Sequence, residues 1–150
     1  MATAMLRCGT GTFRAEWTDR GLRRLDFLDE NEAGPDGAAD PLLRRVTAAL
    51  EALGAGEEVP LDLRGTPFQL AVWRALRAIP AGRTTTYSAL ARSLGLGPGA
   101  ARAVGAACAA NPIAVLVPCH RVVPARGGLG GYRWGLDRKR RLLAREARFT

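Results

Sequence analysis

Between Thr66 and Pro112, proline and glycine cut the chain into pieces each just long enough for a short helix, and this punctuation constrains the fold more than any other feature. The run "TPFQ" places Thr66 as an N-cap, Pro67 at the first helical position and Gln69 where the partner of a capping box belongs. Phe68, Val72, Leu76 and Ile79 then fall on one face, Trp73 joins them as core, and "PAGR" ends the segment. Next, "TTTYSALARSLGLGPGAARAVGAACAANP" predicts a helix over Tyr87–Leu94 capped by Thr86 and a second over Pro98–Ala109, with "GLG" between them. Helix, tight glycine turn and helix is the helix-turn-helix pattern, which many domains that bind no DNA also contain.

The residues before this region follow a different period. Alternating runs at Phe13–Trp17 and Leu22–Phe27, separated by the polar "TDRG", predict a β-hairpin. "NEAGPDGAAD" reads as a loop, and Leu42, Leu43, Val46, Leu50 and Leu53 then recur at helical spacing. We expect a small N-terminal α/β unit over residues 1–62 and a mostly helical domain over 63–150. Beyond the Asn111-Pro112 stop, "IAVLV" reads as a buried strand, "PARGGLGGYRWG" as a glycine-rich loop and "LDRKRRLLAREAR" as a closing basic helix.

Charge separates along the same division. Residues 1–63 carry 7 Arg and 12 acids, net −5, whereas residues 64–150 carry 15 basic residues and 2 acids, net +13. A localised positive surface fits phosphate binding, and it equally fits a chain that uses Arg for any solvated position. Three scattered cysteines, Cys8, Cys108 and Cys119, form no CxxC pair and suggest neither a disulfide scaffold nor a structural zinc site, so a reducing cytoplasm is expected. No apolar run reaches about 18 residues, and the opening "MATAMLRCGTGTF" lacks the order of a signal peptide, so neither membrane insertion nor export is expected.

Chemistry concentrates in "NPIAVLVPCHRVVP", where the sole histidine, His120, follows Cys119 and precedes Arg121. A thiol works as its thiolate, which basic neighbours favour; the alternative is a buried cysteine ending a strand. On a regular strand adjacent side chains point to opposite faces, so cooperation between Cys119 and His120 demands a bend after Pro118, a bridging water, or both. The helix "AARAVGAACAAN" carries one charged residue, Arg102, on an Ala and Gly surface. It is a poor reader of major-groove base edges and suits close approach, to a neighbouring helix or to a minor groove.

Together "GTPFQLAVWRALRAIPAGRTTTYSALA", "ARAVGAACAANP", "VPCHRVV" and "GGYRWGLDRKRRLLAREA" resemble the methylated-DNA-protein-cysteine methyltransferases, or O6-alkylguanine-DNA alkyltransferases, over about residues 64–147. The resemblance implies an α+β fold: a small ribonuclease-H-like antiparallel sheet unit followed by a mostly helical domain with a winged-helix-like helix-turn-helix. It implies irreversible, single-turnover transfer of an alkyl group from O6 of guanine, and less readily O4 of thymine, to Cys119, without cofactor or metal. His120 would take the thiol proton through a water and be oriented by Glu146. Tyr87 would contact the purine and crowd a phosphate, and Arg102 would fill the gap left by the extruded base, with Ala101 and Gly105 against the DNA. Asn111, Val122, Tyr132, Arg133 and Trp134 would form the substrate pocket, Trp134 narrowing it. The zinc site of some N-terminal domains in the family is not expected, since Cys8 is the lone cysteine there and His120 the lone histidine. The implied partner is double-stranded DNA containing O6-alkylguanine, bound by a monomer.

Three other classes fit parts of the sequence. A non-catalytic lesion sensor would dispense with Cys119, and a helix-turn-helix regulator with a redox thiol would want a more polar recognition helix. A cysteine hydrolase is separated from alkyl transfer by the resemblance alone.

Overall fold

A computed structural model describes residues 1–54 and 58–149. Two compact units result: Met1–Arg64 with Pro112–Leu116, and Gly65–Asn111 with Val117–Thr150.

The first unit is built on an antiparallel meander of β1 (Ala2–Cys8), β2 (Gly11–Thr18) and β3 (Gly21–Leu28). β2 and β3 are the expected hairpin. β1 has no counterpart in the sequence reading, because Ala4, Met5 and Leu6 are all buried and the alternation that marks a half-exposed strand is missing. In β3, Arg24 pairs with Glu16 and Leu22 with Trp17, which leaves Arg23 as an extra residue. That bulge changes the parity of the strand, so Leu22 and Leu25 both turn their backbone groups to its outer edge. The edge is covered there: Leu22 N–H donates to Pro60 O and its carbonyl accepts from Asp62 N–H. Gly21, at φ 138°, is required for this approach, since a Cβ would lie 2.4 Å from Pro60 O. Helix α1 (Pro41–Glu51) starts at Asp40, whose carboxylate accepts from Leu42 and Leu43 N–H, and it buries Leu43, Val46, Ala49 and Leu50.

Pro112–Leu116 also joins β3: Leu25 N–H donates to Pro112 O at 2.9 Å and Leu25 O accepts from Ala114 N–H at 2.8 Å. The strand expected for "IAVLV" does not form. Only Ile113 makes a ladder contact, after which Val115 takes φ 67° and Leu116 N–H closes a γ-turn onto Ala114 O. The run is apolar because it is buried, and burial alone does not distinguish a strand from a folded turn.

In the second unit α2 (Pro67–Arg77) begins with the expected capping box between Thr66 and Gln69. Trp73 is core, its indole N–H donating to Ala107 O at 2.9 Å. A two-residue β4 (Thr85–Thr86) leads into α3 (Tyr87–Ser93), capped by the Thr86 hydroxyl. A turn through Gly95 and a 3-10 turn at Pro98–Ala100 then precede α4 (Ala101–Ala109), so the second helix of the pair becomes α-helical three residues later than the sequence suggests. β5 (Val122–Val123) pairs in parallel with β4, and α5 (Leu136–Glu146) closes the unit. No helix among the described residues is long and apolar enough to cross a membrane.

Candidate active site

Pro118 breaks the extended chain just ahead of the thiol. With φ −83° and ψ 64° it closes an inverse γ-turn, Cys119 N–H to Val117 O at 2.8 Å, and Cys119–Arg121 then forms one 3-10 turn. Three residues per turn replace the two-residue alternation of a strand, which allows Cys119, His120 and Arg121 all to be buried. Of the alternatives that the sequence left open, a bend after Pro118 is therefore present.

Each of the three side chains has a defined setting. Asn111, fully buried beyond the end of α4, donates from Nδ2 to Val117 O at 2.8 Å and to Cys119 Sγ at 3.3 Å. It therefore holds both the turn and the thiol. His120 Nε2 lies 2.7 Å from Glu146 Oε2, and Arg121 grips the same carboxylate from Nε to Oε1 at 2.9 Å and from Nη2 to Oε2 at 2.8 Å. Arg121 Nη1 also donates to Ile79 O at 2.6 Å.

This geometry sets the protonation states. Burial alone would raise the Glu146 pKa, but hydrogen bonds from His120 and Arg121 outweigh it and hold the group below the usual range, as a carboxylate. Burial lowers the His120 pKa, partly opposed by Glu146 and reinforced by Arg121 and Lys139, so the imidazole is neutral near pH 7. A neutral ring facing a carboxylate through Nε2 carries its proton there, leaving Nδ1 with a lone pair. Nδ1 is buried and has no hydrogen-bond partner among the described residues, and the same holds for Tyr132 Oη.

Cys119 is not ionised in advance. Burial pushes its pKa up to about 11, against the lowering effects of Asn111, Lys139 and Arg133. Basic groups nearby favour the thiolate, but its desolvation exceeds what they supply.

Cys119 lies in a cavity of about 320 Å³ lined also by Tyr87, Gly105, Cys108, Ala109, Gly131, Tyr132 and Arg133. Of the expected site residues, Tyr87, Gly105, Tyr132 and Arg133 are therefore brought to one wall system around the thiol. Asn111 acts on the sulfur from behind, and Val122, buried in β5, presents its carbonyl to Lys139. Trp134 is not among the lining residues. It sits edge-on to Tyr132, with ring centroids 5.4 Å apart, and beneath the Arg133 guanidinium, so its bulk supports the wall from outside. Ala101 and Arg102 line a shallower concavity of about 340 Å³ that shares Tyr87, Gly105 and Gly131 with the first. Arg102 is exposed at the start of α4, beside exposed Ala103 and Ala106.

Two residues of the site escaped the sequence reading of roles. Arg121 was seen only as a neighbour of the thiol. Lys139 was one cation of a basic helix, yet it is fully buried and bonded to three carbonyls. A signal was present: it is the single lysine of a chain whose other basic residues are all arginine.

Comparison with known proteins places the chain in a family. The family described as "6-O-methylguanine DNA methyltransferase, DNA binding domain" matches residues 67–148. The "Bifunctional transcriptional activator/DNA repair enzyme Ada" of Escherichia coli is 53% identical over 105 residues, 70% of this chain and 29% of that protein. This chain spans about three-tenths of the length of the two Ada proteins it matches. A "Methylated-DNA--protein-cysteine methyltransferase" of Mycolicibacterium paratuberculosis is 54% identical over 114 residues, 71% of this chain and 68% of that one. The crystal structure of Mycobacterium tuberculosis OGT in complex with DNA superposes with a TM-score of 0.82 at 40% identity, covering 97% of this chain and 92% of that chain. The α+β fold, with its antiparallel three-stranded sheet and helical remainder, is the one seen in those structures. The matched region holds Cys119, His120 and the carboxylate of Glu146 bonded to it, and the chain belongs to the 6-O-methylguanine DNA methyltransferase family.

Proposed function

We propose that this protein repairs DNA by transferring the alkyl group of an O6-alkylguanine, and less readily of an O4-alkylthymine, irreversibly to Cys119. The observation that carries the reading is a buried thiol lining a cavity and followed in the chain by a neutral histidine, whose Nε2 meets a carboxylate and whose Nδ1 is free. In the reaction the Cys119 sulfur forms a bond to the alkyl carbon as that carbon's bond to O6 breaks. The thiol proton leaves through His120, and the purine gains a proton as its lactam re-forms, so charge balances without a cofactor. At pH 7 a thiol of pKa about 11 is ionised in roughly one molecule in ten thousand, so proton removal belongs to the reaction step.

The remaining residues have roles that follow from position. Asn111 orients the sulfur, Tyr87 and Tyr132 offer aromatic surface to the base, and Arg133 adds a cation on the cavity wall. The cavity is at the small end of pockets that enclose organic ligands, which suits a single extruded base. Arg102 enters the duplex from the minor groove, with the small residues Ala101 and Gly105 permitting close approach. Residues 63–150 act as the DNA-binding alkyltransferase domain, with α3 and α4 as a winged-helix-like helix-turn-helix, and residues 1–62 as a ribonuclease-H-like companion. The protein works as a cytoplasmic monomer.

The test is a mass spectrum of the protein after incubation with a duplex containing O6-methylguanine. One methyl group on the peptide carrying Cys119, and guanine restored in the duplex, is the expected result; an intact thiol and unrepaired base refute the reading.

A further inference from the structure

The chain has 22 basic side chains, and the one that is lysine is fully buried. Lys139 Nζ donates to Val122 O at 2.8 Å, to Gly131 O at 3.0 Å and to Leu129 O. Three ammonium donors thus meet three carbonyls, and the set is complete. A guanidinium is planar and larger, and its forked donors cannot converge on three oxygens around one point, which is a physical reason for lysine where arginine serves elsewhere.

The three carbonyls come from two segments that matter to the thiol. Val122 directly follows the 3-10 turn of Cys119–Arg121, while Leu129 and Gly131 belong to the loop whose Gly131, Tyr132 and Arg133 line the cavity. Lys139 and Glu146 lie seven residues apart on the buried face of α5, so one helix face supplies both the anchor of His120 and this cation.

We propose that Lys139 is a positioning residue for alkyl transfer, its ammonium clamping the cavity wall to the nucleophile segment and setting a fixed positive charge beside the thiol; the inference rests on the function proposed above. Cys119 and Lys139 influence each other electrostatically, the lysine lowering the thiol pKa and the thiol raising that of the lysine against its burial. Arg133 is the other cation acting on Cys119, and Asn111 is its hydrogen-bond donor. The acids around the thiol are Cys108, Tyr87 and Tyr132, all shifted upward by burial and therefore neutral near pH 7. His120 is neutral and Arg121 is matched by Glu146. Lys139 is thus the cation that is both buried and tied to the cavity wall.

The test uses the full chain and Lys139→Met, which keeps an unbranched side chain one atom shorter and removes donors and charge. Iodoacetamide labelling of Cys119 is followed against pH, alongside methyl transfer from a methylated duplex and thermal melting. The midpoint of labelling is expected to rise by about one pH unit and transfer at neutral pH to slow about tenfold, since the lost charge disfavours both the free thiolate that is labelled and the thiolate that develops during transfer. A variant that melts lower but keeps the wild-type labelling midpoint overturns the proposal.

A second measurement needs no substitution. With ¹⁵N-lysine the wild-type chain gives one ε-ammonium signal, expected to be protected from solvent exchange and to move when Cys119 is alkylated by iodoacetamide. A signal unchanged by that modification, or exchanging like a free amine, refutes the proposal even if the variant does not fold. Failure of the wild-type protein to accept a methyl group would strike the proposed function and leave this coupling measurable.

Discussion

Replacing Glu146 by Gln should cost the protein a large part of its stability. The carboxylate is 1% exposed and accepts three hydrogen bonds, one from His120 and two from Arg121, whose own side chain is 5% exposed. Glutamine keeps the shape, but its amide turns an N–H₂ toward these donors and leaves the Arg121 charge without a counter-ion. Breaking a buried pair from one side costs about 3–5 kcal/mol, because the surviving charge remains desolvated. With domain stabilities of about 5–15 kcal/mol, that is a substantial fraction, and at 2–4 °C per kcal/mol for a chain of this size the Tm should fall by roughly 6–20 °C. Urea unfolding of Glu146→Gln, Arg121→Met and the double variant forms a cycle. We expect the double variant to be less destabilised than the two singles added together, with a coupling of about 1–3 kcal/mol. A loss below about 1 kcal/mol for Glu146→Gln, or a coupling indistinguishable from zero, would refute the reasoning that this carboxylate holds both side chains.

Cys119→Ala should abolish methyl transfer while gel-shift affinity for the methylated duplex stays near wild type, since Arg102 and the exposed face of α4 do not depend on the thiol. Arg102→Ala should slow repair of a duplex well beyond its effect on the free methylated base, because only the duplex requires a gap to be filled; equal effects on both would remove the intercalating role. Stability should decline as the medium is acidified, for two groups in turn. The folded-state pKa of His120 is lowered, so its contribution is present above about pH 6.5 and is lost as pH falls through the folded value; Glu146 follows below about pH 4.5 by the same sign. Thermal melting from pH 8 to 4 reads this, and a flat profile between pH 6.5 and 5 would show that His120 charges freely in the fold.

Helix beginnings were legible because their causes lie within four residues of one another. Thr66 with Gln69, and the Thr86 hydroxyl on Ala89 N–H, are local hydrogen bonds that a linear reading can recover. The hairpin of β2 and β3 was legible from alternation, and the demand for a bend after Pro118, a bridging water, or both followed from strand geometry applied to two adjacent residues. β1 and the segment after Pro112 were not, since both are buried without periodicity, and the segment after Pro112 meets Leu25, far away in the chain.

The sequence by itself therefore determined which residues could do chemistry: a cysteine and histidine side by side after proline, a helix with one arginine on a bare surface, and a late glutamate in a basic helix. Tertiary structure decided what each of them is. It made the thiol a reluctant acid through burial, kept His120 neutral through burial against the opposing pull of Glu146, and turned one cation of a basic helix into a buried clamp. Side-chain type and short-range hydrogen bonds are written into neighbouring residues, whereas desolvation and charge pairing arise only when segments 20 or more residues apart exclude water from the same point.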